Sequence, residues 1–126
     1  MKTEEAEREY ARRSKDIESL MENNDTGLYA LIADANKILD EGEAYRKKAY
    51  DGSKEIPSNT IELRNKTIAM KERLDDVDIT ICSRIGGNYR NPNPVPVPSA
   101  KARYELNQAI GGLSDLLHAI GLISRR

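Results

Sequence analysis

The chain holds one histidine and one cysteine, His118 and Cys82. Covalent or acid–base catalysis needs a nucleophile within hydrogen-bond reach of a base that a third group orients. His118 follows Leu117 in an apolar run, and Cys82 sits in an isoleucine-rich segment. Both read as packed groups, a core or interface imidazole and a buried, inert thiol. One His and one Cys cannot furnish a zinc site. Asp75, Asp76 and Asp78 lack the spacing and closing glutamate of a calcium loop and read as a solvated helix face. Gly86-Gly87 and Gly111-Gly112 are isolated pairs without the strand–turn–helix setting of a phosphate-binding loop. The expectation is therefore no enzyme, no resident metal and no cofactor.

One patch has binding chemistry: Arg84, Gly86, Gly87, Asn88, Tyr89 and Arg90, which Arg103 and Tyr104 could join. Glycines leave backbone N–H groups open, arginines fork onto phosphate, and a tyrosine ring can stack on another ring. A solvated loop has the same composition, so a small anionic ligand and plain solvation both stay open. With 20 basic and 21 acidic residues the net charge is −1, which argues against duplex nucleic acid as a partner. A single local anion site remains compatible with it.

These residues must be carried by something, and the hydrophobic periodicity says helices. At 126 residues the chain suits one domain, residues 1–126. It has no Phe or Trp, so its core must be built from aliphatic side chains and tyrosines. Residues 3–22 read as a thinly apolar first helix, peripheral or docked on a second subunit. Asn23-Asn24-Asp25 offers a cap for a second helix over Thr26–Tyr50. Its glycine, Gly42, lies on the apolar stripe and so predicts a close helix contact. Arg46, Lys47 and Lys48 suit that helix's negative C-terminal end. After Pro57, Ser58 or Asn59 caps a third helix, with Asn59 and Glu62 at capping-box spacing. Ile61, Ile68, Met70, Leu74, Val77, Ile81 and Ile85 follow the helical period there. Residues 77–82 also alternate like a strand, so both readings stand for that stretch, helix preferred for want of a pairing strand.

Gly86-Gly87 reads as a stop, followed by an extended linker over residues 86–98 whose four alternating prolines exclude helix. It could lead to the near or the distant end of the bundle. Ser99 then caps a last helix, the most apolar segment of the chain. Leu106, Ile110, Leu113, Leu117 and Ile120 share its apolar side and are expected to form an oligomer interface. Glycines at 111, 112 and 121 are costly inside a helix, which predicts close approach of a second copy or a distorted helix lining a pocket. The last helix also carries Asn107, Gln108, Asp115 and His118, so it is no membrane span. The polar, acidic N-terminus and the single cysteine fit a cytoplasmic protein.

Lys66-Thr67-Ile68-Ala69-Met70 followed by Leu74-Asp75-Asp76-Val77 resembles part of the helical hairpin of phage proteins that sequester cyclic-nucleotide immune signals. The likeness spans about a dozen positions and needs an insertion. The aromatic–Ala–Asn segment of that hairpin is replaced here by Asp78-Ile79-Thr80-Ile81. The resemblance implies a small helical oligomer that binds a nucleotide, as an anti-defence signal sponge. The expected architecture is an all-α bundle of three long helices plus an N-terminal helix, with an extended proline-rich strap before the last. The expected function is that of a non-catalytic, self-assembling adaptor or inhibitor that binds another protein. The alternative is a small-ligand binder built on the Arg84–Arg90 patch.

Overall fold

The structure, a computed structural model, describes residues 3–8, 12, 17, 20, 25–52 and 54–126. Three long helices dominate: α1 (Thr26–Ala49), α2 (Thr60–Asn88) and α3 (Ala100–Ser124). The fold is a small all-α bundle, and the described residues contain no strand. Residues 77–82 lie inside α2, which settles their alternation in favour of helix. Most of the expected helix over 3–22 falls outside the described residues. Residues 3–8 are helical and exposed, and Ile17 and Leu20 pack against the core.

The core has two centres, one at each end. Leu28, Leu31 and Ile32 of α1 meet Leu74, Val77 and Ile81 of α2 and Ala102, Leu106 and Leu113 of α3. At the other end Tyr45 and Ala49 meet Leu63, Leu116, Ile120 and Ile123. The start of α1 thus lies beside the end of α2 and the start of α3. The helices run up, down and up, with α1 and α3 parallel. Helix α3 touches both neighbours more extensively than they touch each other. Its apolar face is the axis on which the other two pack, as its composition suggests.

Two glycines permit that packing. A Cβ on Gly42 would lie 2.6 Å from both δ-methyls of Leu116, and one on Gly112 3.1 Å from Leu39. The close contact expected at Gly42 is present, and it is made within the chain. Gly112 is likewise explained by α1 rather than by a second copy. Gly111 and Gly121 have open space where a Cβ would go.

Capping departs from expectation at two of three helix starts. Ser99 caps α3 as expected, its Oγ accepting the Ala102 N–H at 3.1 Å. Asn59 makes no side-chain cap bond at α2. Instead Thr60 donates to the Pro57 carbonyl at 2.6 Å, and its Oγ lies 3.0 Å from the Tyr45 hydroxyl. Thr60 has one hydroxyl hydrogen and spends it on Pro57, so Tyr45 must be the donor in that contact. This buried chain ties α1 to the start of α2. Asp25 likewise makes no cap bond to α1; its carboxylate accepts the Ser99 N–H at 2.8 Å. The parallel helix starts are joined there.

Gly86-Gly87 does not stop α2, which continues to Asn88. The turn is made by Asn88, whose amide donates to the Val95 carbonyl and accepts the Val95 N–H, both at 2.9 Å. Asn91 accepts the Asn93 N–H at 2.9 Å within that turn. Residues 88–95 therefore close on themselves rather than run out as a straight strap. The linker leads to the near end of the bundle.

Candidate functional site

The sequence patch at 84–90 is split by the helix that carries it. Gly86 and Gly87 are inside α2, so their N–H groups are engaged in the helix and unavailable for a phosphate. Asn88 has spent its amide on the linker. Residues three and four apart share a helix face, so Arg84 lies on the side of Gly87 and Asn88 while Gly86 points away. Tyr89, just past the helix, is 87 % exposed, and Arg90 is exposed beside it.

What the fold brings together is a smaller set. Ile85, Asn88, Tyr89, Val97 and Arg103 line an open cleft of about 350 Å³ between the end of α2, the linker and the first turn of α3. Arg103 was a peripheral candidate and is the cation of this cleft. Its Nε is buried without a hydrogen-bond partner. No carboxylate lines the cleft. Ile85 and Val97 complete it and escaped the sequence reading. Ile85 packs against the core, as its periodicity predicts, and also reaches the cleft; nothing local marks where the linker folds back to deliver Val97.

The electrostatics of this end are lopsided. The N-termini of α1 and α3 both lie here, and neither first turn holds an acidic residue. Such ends carry partial positive charge. Arg84, Arg90, Lys101 and Arg103 add to it. Asp25 and Glu105 are acids at this end, and the Asp25 carboxyl is held below its ordinary value by its hydrogen bonds from Ser99.

The remaining candidates fall elsewhere. Cys82 is exposed, not a buried thiol, because it lies one step round from the buried Ile81. His118 is exposed on α3 rather than packed in a core. Asp75 pairs with Lys71 at 2.7 Å, and no cluster of three His, Cys, Asp or Glu among the described residues could hold a metal. No helix among them is long and apolar enough to cross a membrane.

The expected oligomer interface must be redrawn. Leu106, Leu113 and Ile120 are 0, 0 and 1 % exposed, because α1 and α2 already cover them. Ile110 and Leu117 are half-buried on the flank of that face. Exposed large apolar side chains occur on α3 at Tyr104 and Leu122, and on α2 at Ile61 and Ile79, the last two 74 and 67 % exposed. These two isoleucines are 18 positions apart, about five whole turns, so they lie on one line along the helix. Ile68, half-buried, falls close to the same line. Leu74, Val77 and Ile81 of the predicted stripe are buried, whereas Ile61 and Ile68 lie about a third to a half of a turn round α2 from them.

Comparison with known protein families, curated proteins and solved structures returns no match.

Proposed function

We propose that this chain is a non-catalytic interaction protein that assembles with a second copy of itself through α2 and acts by binding another protein. The observation that supports self-assembly is the line of Ile61, Ile68 and Ile79. Isoleucines that leave two-thirds or more of their surface in water are costly to keep there without a partner. The charges flanking the line favour a copy of the same helix as that partner. The first half of α2 carries Arg64, Lys66, Lys71 and Arg73 against Glu62 and Glu72, and the second half Asp75, Asp76 and Asp78 against Arg84. An antiparallel pairing about a two-fold axis near residue 70 sets Ile61 against Ile79 of the second copy. The same axis sets Arg64 near the Asp75–Asp76 pair, twice by symmetry. A parallel pairing would face like charges instead.

Light scattering on the eluting protein at micromolar concentration tests this. The wild type is expected at twice the chain mass. Ile79→Asp is expected at the chain mass with an unchanged helical spectrum, since residue 79 is outside the core. A wild-type monomer, or a dimer unaffected by Ile79→Asp, refutes the proposal.

A further inference from the structure

We infer that the cleft between the end of α2 and the start of α3 is a binding site for a small ligand that joins a planar ring to a phosphate. It lies away from the Ile61–Ile79 line and stands independently of the self-assembly proposal.

Three features of the cleft carry the inference. The first is Arg103. Its Nε–H is shut away from water and from any ligand, so the donors Arg103 offers to the cleft are the terminal nitrogens of its guanidinium, which make no hydrogen bond among the described residues. Arg103 makes no ion pair among the described residues. The two terminal nitrogens of a guanidinium also stand side by side, a pair of donors matched to two oxygens of one phosphate. The field supports the same sign of ligand, since two helix N-termini and Arg84, Arg90 and Lys101 surround this end. The Asp25 carboxylate at this end is occupied by Ser99, and no carboxylate lines the cleft itself.

The second feature is the ring surface. Tyr89 lines the cleft while 87 % of it faces water, so a ring could stack on it, with Ile85 and Val97 as an apolar floor. The third is rigidity. The wall that holds Val97 is pinned twice, by the two bonds between Asn88 and Val95 and by the bond from Ser99 to Asp25. A loop fastened in this way loses little freedom when a ligand arrives. At about 350 Å³ the cleft is at the small end of ligand pockets and suits a mononucleotide-sized molecule.

The test is a nuclear magnetic resonance titration of the full chain with adenosine 5′-monophosphate. Adenosine and inorganic phosphate serve as the two half-probes. The expected result is saturable movement of the Tyr89, Val97 and Arg103 amide signals with the monophosphate, and binding at least about tenfold weaker for either half-probe. Arg103→Gln is expected to weaken monophosphate binding about tenfold or more. Tyr89→Ala, at an exposed position that cannot unfold the bundle, is expected to weaken it about fivefold or more. The inference is overturned if the monophosphate leaves those signals in place. It is also overturned if either half-probe binds as well as the whole, or if Tyr89→Ala binds as tightly as the wild type.

Discussion

Replacing Gly42, Gly111, Gly112 and Gly121 in turn by alanine should give effects of opposite sign at positions that look alike in sequence. Alanine is favoured over glycine within a helix by about 1 kcal/mol. At Gly111 and Gly121 a new Cβ meets nothing within 4 Å, so each substitution should stabilise the chain by about 0.5–1 kcal/mol. At Gly42 the Cβ would sit 2.6 Å from both δ-methyls of Leu116 and 3.1 Å from its Cγ. Leu116 is 1 % exposed and enclosed by Tyr45, Leu63 and Ile120, so it has nowhere to rotate. Overpacking of that kind costs about 1–3 kcal/mol. The helix gain offsets part of it, which leaves Gly42→Ala destabilised by about 0–2 kcal/mol. Gly112→Ala, at 3.1 and 3.2 Å from the two methyls of the half-buried Leu39, should fall between. In a chain of this size about 1 kcal/mol moves the melting temperature by about 3–5 °C. Thermal melts followed by circular dichroism should rank the variants Gly111→Ala and Gly121→Ala above wild type, and Gly42→Ala at or below it. A Gly42→Ala protein as stable as Gly111→Ala would refute the packing of α1 on α3. A concentration-dependent loss of stability in Gly111→Ala or Gly121→Ala would show a second copy lying on α3 instead of α2.

Two further perturbations test the polar joints. Tyr45→Phe removes the donor to Thr60 while Thr60 keeps its bond to Pro57, so urea unfolding should report a loss of about 1 kcal/mol; no loss would mean the buried hydroxyl contact contributes nothing. Asp25 has its carboxyl lowered from 3.8 by the Ser99 hydrogen bonds. Its contribution is therefore fully present above about pH 4 and is lost as pH falls through the lowered value. The stability difference between wild type and Asp25→Asn should stay flat from pH 7 to about pH 4 and shrink below that; a difference independent of pH down to pH 2 would contradict the Asp25–Ser99 link.

The parts of this fold that were legible in the sequence are those fixed by local periodicity and cap chemistry. Leu106, Leu113, Leu116 and Ile120 recur at helical steps, and Ser99 stands where an N-cap must. Gly42 on an apolar stripe pointed to a close contact, and Leu116 supplies it. The illegible parts depend on partners distant in sequence. Asp25 looks like a local cap and serves a residue 74 positions away. Asn88 looks like a ligand for an anion and is consumed by Val95. Gly86-Gly87 reads as a stop because glycine is permissive, but permissive residues also continue a helix when the flanking turns are held. Ile61 shows a third limit. Periodicity identifies a helix more firmly than it identifies which side of the helix is inside. At the cleft, Arg103 and Tyr89 were in view by composition, whereas Val97 became a neighbour only through the fold-back of the linker.

The antiparallel pairing of α2 can be measured without altering the sequence, since the chain's one cysteine, Cys82, is exposed on that helix. A spin label there lies about 18 Å along α2 from a two-fold axis at residue 70, so two labels in a dimer should be about 35–40 Å apart. Pulsed dipolar spectroscopy of the labelled protein should show that distance in the wild type and lose it in Ile79→Asp. A label separation under about 20 Å, as a parallel pairing would give, or no dipolar modulation in the wild type, would contradict the account.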